Sequence, residues 1–371
     1  MSNKNFQVYL DCGSSKMRAA AFNKNNIENS FYYESDFLYD YKNIDSEIEK
    51  IISFLEENTK EYLNDVNLII DSTKMLSVGI SVYKKIDGVK LEKEDIQFLI
   101  QDAKHQILRN YFDYNITHTI IKNYKIDNIE HNSLPDDINC NFISLDIFFI
   151  CLPKKTIEYF KRQFFKLDLS VNHIFCSSYA KSSSYKENFS KVKNLSFIDI
   201  GFNKTSISCY SNNEIISLDV LPIGGNHITK DISKVLKMSL KEAEEIKLSF
   251  DKNNEILEKK KISLDLIQQI IFARVEELLE LSDLSIKLNF NFKTPYQYKM
   301  ILMGEGSKIL DNKYKEKISF SNNIDFLDET GENICQSASK LLKKLNKEET
   351  VLSSKKLSKQ GFFEKLFHFF E

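Results

Sequence analysis

Val8-Tyr9-Leu10-Asp11-Cys12-Gly13-Ser14-Ser15 and Ser196-Phe197-Ile198-Asp199-Ile200-Gly201 are two versions of one phrase, an apolar run ending in Asp-x-Gly. They stand about half a chain apart. A strand that ends this way and turns back into a second strand aims a carboxylate and a row of backbone N–H groups at one point. That geometry suits a nucleotide phosphate and its Mg²⁺. One such turn says little. The repetition predicts a duplicated fold with a nucleotide in the cleft between its halves.

Working outward from the first phrase, residues 6–11 and 17–22 read as a hairpin. A helix is expected over 45–63, from the spacing of Ile48, Ile51, Ile52 and Leu55. Residues 66–71 read as a buried strand, 76–84 as an alternating one, and 92–109 as a helix opened by acidic residues. Strand-like segments at 116–130 and 141–152 and an amphipathic helix at 155–167 complete the first half. Around the second phrase, strand 195–200 pairs with 205–211, Asn212-Asn213 turns the chain, and 214–221 follows. Helices are expected at 227–237, at 240–248 behind a Ser239 cap, at 264–283 and at 331–345, with a strand at 298–303.

The chain has 371 residues, enough for more than one core, with 42% hydrophobic and 28% charged residues. A net charge of −2 gives no general attraction to nucleic acid. The six cysteines form no Cys-x-x-Cys pair, and several lie in apolar runs, as small core residues of a reducing compartment do. The histidines show no ligand spacing. No stretch of about 18 apolar residues occurs, and Met-Ser-Asn-Lys-Asn-Phe lacks a signal-peptide core. The expectation is a cytoplasmic protein that can lie on a membrane surface.

Leu-Asp-Cys-Gly-Ser-Ser-Lys-Met-Arg (10–18), Ile-Asp-Ile-Gly (198–201), Leu-Pro-Ile-Gly-Gly-Asn-His-Ile-Thr-Lys-Asp-Ile (221–232), Glu-Ala-Glu-Glu-Ile-Lys (242–247) and Leu-Met-Gly-Glu-Gly-Ser (302–307) together resemble FtsA, the actin-like bacterial cell-division family. The resemblance implies an α/β, actin-like two-lobed fold with duplicated mixed-sheet lobes around a nucleotide cleft. It places a first lobe at 1–82 and 153–192, an inserted FtsA-type subdomain at 83–152, and a second lobe at 193–225 and 297–345. A small FtsZ-binding subdomain follows at 226–296, a polar linker at 346–360 and a membrane-targeting helix at 361–371. It further implies an ATP-binding adaptor that polymerises on the inner face of the cytoplasmic membrane, holds the C-terminal peptide of FtsZ, and recruits later division proteins.

The candidate nucleotide ligands are Asp11, Gly13, Ser14, Ser15 and Lys16 in the first phosphate loop, and Asp199, Gly201 and Lys204 in the second. Gly224, Gly225, Asn226, Glu244, Lys247, Gly304, Gly306 and Ser307 are the adenosine-side candidates. Asp11 and Asp199 would hold Mg²⁺ through water. Helix N-terminal N–H groups after Gly224 and Gly225 are expected to point at the cleft. Glu244 and Lys247 share a helix face, toward the nucleoside or as a surface ion pair. The second loop departs from the family pattern Asp-x-Gly-Gly-Gly-Thr-x-Asp. It reads Asp199-Ile200-Gly201-Phe202-Asn203-Lys204-Thr205-Ser206, so two glycines, the threonine and the last aspartate are replaced. Phe202 hinders close backbone approach to phosphate, and Lys204 offers a charge in return. ATP binding with very slow or absent hydrolysis is expected.

Phe362, Phe363, Leu366, Phe367 and Phe370 fall on one face of the terminal segment, behind Lys355, Lys356 and Lys359. This pattern suits an in-plane helix on anionic lipid. Arg274 is the candidate contact for the acidic FtsZ peptide, or a partner of Glu277 on its own helix. Two other readings share the fold: a PilM-like pilus-assembly adaptor and a sugar kinase, which would need a general base in the cleft.

Overall fold

The computed structural model describes residues 5–26, 29–35, 44–135, 137–249, 262–290, 298–310, 315 and 323–353. The duplication read from the two Asp-x-Gly phrases is present in the strand order. In the first lobe β1 (Phe6–Cys12), β2 (Met17–Asn23), β3 (Ser30–Glu34), β4 (Asp65–Ile70) and β9 (Ser170–Cys176) lie in the order β3-β2-β1-β4-β9. In the second, β10 (Asn194–Ile200), β11 (Thr205–Ser211), β12 (Glu214–Leu221), β13 (Lys299–Met303) and β14 (Ile324–Phe326) lie in the order β12-β11-β10-β13-β14. Each sheet joins an antiparallel meander to parallel strands at the same place.

Helices cover both sheets. α1 (Ile44–Thr59) and α3 (Lys154–Phe165) pack on the first lobe, burying Ile48, Ile51, Leu55 and Phe164 against Leu10 and Leu68. α5 (Gly225–Leu236), α6 (Leu240–Ser249) and α7 (Leu264–Phe290) pack on the second, with Ile228, Ile246, Ile271 and Val275 against Ile198 and Leu302. Each fully buried side chain of this kind contributes roughly 1.5–3 kcal/mol. Ser239 caps α6 as expected: its hydroxyl accepts from Glu242 N at 3.2 Å, and Glu242 accepts from Ser239 N at 3.0 Å.

α4 (Ser177–Tyr185) and α8 (Glu332–Ser353) sit between the lobes in a core shared by both sheets, with Tyr9 and Phe175 from one side and Phe197 and Tyr210 from the other. Strand β9 and helix α4 have no counterpart in the sequence reading. Helix α4 is Ser-Ser-Tyr-Ala-Lys-Ser-Ser-Ser-Tyr and shows no apolar period, yet Ser178, Ala180, Lys181 and Ser182 are buried. Small side chains let it fit between two sheets.

A third sheet, β5 (Leu76–Lys85), β6 (Tyr114–Ile126), β7 (Ile129–His131) and β8 (Phe142–Pro153), is ordered β5-β8-β6-β7 and carries α2 (Lys93–Asn110). The boundary expected at residue 83 falls inside β5, where Tyr83 pairs with Ser144, because the strand already joins β8 at Leu76. The linker expected from 346 is also corrected. Helix α8 runs on to Ser353, since Lys, Glu and Leu are good helix formers whether polar or not. Residues 354–371, with the expected membrane helix, lie outside the described residues.

Candidate functional site

The carboxyl ends of β1, β4, β10 and β13 converge on one cleft with about 760 Å³ of space, part of it open to solvent. Clefts at the carboxyl ends of parallel strands are the usual ligand sites of such sheets. Asp11, Gly13, Ser14, Ser15, Asp199, Gly201, Lys204 and Gly304 line it, together with Arg18, Asp71, Lys181, Glu305 and Glu329. All eight of the first group are candidates of the sequence reading. The second group was given no role there.

The charges of the cleft are paired off. Asp11 sits across the hairpin from Arg18, whose guanidinium lies 3.5 Å away. Arg18 also binds Glu34 at 2.8 Å and Glu305 at 3.4 Å. Burial pushes the Asp11 carboxyl up to about 6, against the pull of Arg18 and Lys181. Asp199 faces Ser206 across its own hairpin and takes its cation from α4, with Lys181 Nζ at 2.8 Å. Lys181 binds Glu329 as well, at 3.0 Å, with 4% of its side chain exposed. Burial acts to loosen the Lys181 proton, but Asp199 and Glu329 outweigh it and hold the proton more firmly than usual. Lys204 binds Asp71 at 2.7 Å. Burial acts to raise the Asp71 carboxyl, and Lys204 with its hydrogen bonds lowers it overall.

The fit to a divalent ion fails on this donor set. Each of the two aspartates expected to hold Mg²⁺ through water already faces a buried protein cation, Arg18 or Lys181, whose charge opposes a second cation there. Among the described residues no three of His, Cys, Asp or Glu converge as ligands. The cleft lining has three cations against five carboxylates, so phosphates gain a cation only by taking it from a carboxylate.

Other expected ligands turn inward to shape the cleft. Lys16 leaves it, with Nζ on Glu34 at 2.5 Å. The N–H groups after Gly224 do not stand open: Gly225 N donates to Gly201 O at 2.9 Å and Asn226 N to Phe202 O at 2.7 Å. The loop after β10 itself caps α5. Glu244 and Lys247 are not a surface pair. They are 2.7 Å apart, 3% and 4% exposed, and bind Thr229 of α5. Lys247 Nζ also donates to Gly225 O at 3.2 Å and lies 5.6 Å over the Phe202 ring. Gly304, at φ +89°, lets the third loop cross β10, where a Cβ would come within 2.6 Å of Ile200 O. Its N–H donates to Glu329 at 2.7 Å. Gly306 packs on Ile200, and the buried Ser307 hydroxyl donates to Gly304 O at 2.8 Å. Arg274 grips Asp231 of α5 with Nε at 2.7 Å and Nη2 at 3.0 Å, and also binds Glu277.

Of the residues the sequence reading passed over, Asp71 carried a usable signal, since it ends the apolar run Leu68-Ile69-Ile70 as Asp11 and Asp199 end theirs. Lys181 and Glu329 carried none.

The family model described as cell division protein FtsA matches residues 196–348. A cell division protein FtsA from Buchnera aphidicola is 25% identical over 272 residues, 69% of this chain and 62% of that protein. One from Bacillus subtilis is 34% identical over 128 residues, 30% of this chain and 29% of that protein. The matches thus span less than two thirds of these relatives. Among solved structures, a chain of the PilM-PilN type IV pilus biogenesis complex superposes with a TM-score of 0.63 at 12% identity, covering 87% of this chain and 88% of that one. MreB 5 of Spiroplasma citri bound to AMPPNP superposes at 0.50 with 12% identity, covering 93% and 98%. At such identities these likenesses speak for the fold. The chain has the actin-type fold and is similar to cell division protein FtsA, whose family model matches residues 196–348.

Proposed function

We propose that the chain is a cell-division adaptor: it binds a nucleotide in the cleft, assembles with itself, and ties the C-terminal peptide of FtsZ to the inner membrane face. The observation that carries this reading is the family match over residues 196–348. That stretch holds the second and third loops, the α5–α6 pair and helix α7. The AMPPNP bound by the Spiroplasma protein, which shares this fold, supports a nucleotide ligand. Slow or absent hydrolysis follows from the second loop, where Ser206 replaces the family's aspartate and Lys204 is already bound. A kinase role is disfavoured because Asp11, Asp71, Asp199, Glu305 and Glu329 are each paired with a cation, leaving none of them as a free base.

Arg274 keeps a place in the partner surface only if the FtsZ peptide competes with Asp231 for it. No helix of the described residues is long and apolar enough to cross a membrane. Membrane attachment is assigned to Phe362, Phe363, Leu366, Phe367 and Phe370. Co-sedimentation with anionic vesicles, run beside anisotropy binding of a labelled FtsZ C-terminal peptide, tests the reading. The full chain should pellet, a chain ending at Gln360 should stay in solution, and both should bind the peptide. Failure of both peptide and vesicle binding would overturn it in favour of a PilM-like adaptor.

A further inference from the structure

Lys204 occupies the position where the family pattern has threonine, in the turn from β10 to β11. Its ammonium donates to Ser206 of its own hairpin and also reaches across to the other lobe. It donates to Asp71 Oδ2 at 2.7 Å, just past β4 of the first lobe, and to Ser178 Oγ of α4 at 3.2 Å. Ser178 also reaches Asp71, and its hydroxyl lies 2.7 Å from Ser206 Oγ of β11. The two ionic side chains are 11% and 13% exposed. At the rim of the cleft a second bridge, Arg18 to Glu305, spans the same gap at 3.4 Å. In a two-lobed site closed by a ligand, phosphate oxygens take donors from both lobes and thereby favour the closed form. Here a carboxylate of one lobe takes the donor of the other, and it is permanently at hand.

We infer that Asp71 stands in for a ligand phosphate, its bond to Lys204 tying the lobes together so that the cleft closes without nucleotide. The second half of this inference rests on the cleft being the nucleotide site: a polyphosphate must displace Asp71 from Lys204 and then sit beside the displaced carboxylate. Asp71 therefore sets the affinity, and it sets it low. Lys204 is a latch first and a phosphate ligand only when released.

Pulsed EPR on the full chain tests this. Nitroxides at Glu57→Cys on α1 and Lys241→Cys on α6 report the lobe spacing; both sites are exposed, and the six native cysteines are buried. Without nucleotide the parent should give one short distance that saturating ATP leaves unchanged. Asp71→Asn should lengthen it, ATP should shorten it again, and affinity for a fluorescent ATP analogue should rise by about tenfold or more. Lys204→Gln should lengthen the distance with no recovery on ATP, because the cation is gone. An unchanged distance in Asp71→Asn overturns the latch, as does weaker ATP binding in that variant. Thermal melting identifies a variant that fails to fold. In that case the reversed pair Asp71→Lys with Lys204→Asp decides, a short distance supporting the latch and a long one ending it. If no form binds the analogue, the nucleotide reading falls, while the nucleotide-free distances still judge the latch.

Discussion

The two Asp-x-Gly hairpins share a backbone and differ in where their charges are met. β1–β2 answers Asp11 from within, through Arg18 directly across the hairpin. β10–β11 has Ser206 at that place. Asp199 must draw Lys181 from α4, and the hairpin's own Lys204 goes to Asp71 in the other lobe. The first hairpin answers its own aspartate, though Arg18 also reaches Glu305 of the other lobe. Its copy is complete only when the lobes meet. Duplication preserved the hydrogen-bonded frame, and side-chain replacement turned one copy into a joint.

The largest effect should come from cutting the borrowed cation. Lys181→Met leaves Asp199 and Glu329 buried without their cation and should cost about 3–5 kcal/mol in denaturant unfolding. The matching change in the other hairpin, Arg18→Met, should cost less, and less still below pH 6, because Asp11 already takes a proton near there and Glu34 keeps Lys16. Equal losses at every pH would break the contrast.

A pH series on Asp11→Asn sharpens it next. Burial raises the Asp11 carboxyl in the folded chain from 3.8 to about 6, so between these values the folded state holds a proton that the unfolded state has lost. Stability should therefore fall as pH rises through that window, by about 3 kcal/mol, and the asparagine variant should lack the fall. His118, held down to about 3 by burial, acts with the opposite sign, losing stability as pH falls below 6.5. It is common to both proteins and drops out of the difference. A flat difference curve would show that Arg18 keeps Asp11 ionised throughout.

The smallest effect probes the shared frame. A Cβ on Gly13 would lie 2.9 Å from Lys16 O, and one on Gly201 3.1 Å from Lys204 O. Gly13→Ala should cost about 1–2 kcal/mol and Gly201→Ala about 1 kcal/mol or less, measured as midpoint shifts. A reversed order would mean that the second turn, pinned under α5, is the more rigid one.

Both hairpins, their turns, the Ser239 cap and helices α1 to α3 could be read from adjacent residues, because their hydrogen bonds and apolar faces are set within a few positions. Helix α4 could not, because its burial comes from small residues and not from an apolar stripe. Glu244 and Lys247 were legible as neighbours on a face but not as buried. That depended on α5 folding over them, with Gly225 and Thr229 as further partners of Lys247.

Residue order alone carries the repeat of one strand-turn-strand unit, with two carboxylates and a set of glycines at its turns. What those groups meet depends on how the lobes pack. Lys181 finds Asp199 18 positions away, and Lys204 finds Asp71 across 133. Ion pairing in a dry interior is governed by distance in space and by what is stripped of water, and neither is written in the local order of residues.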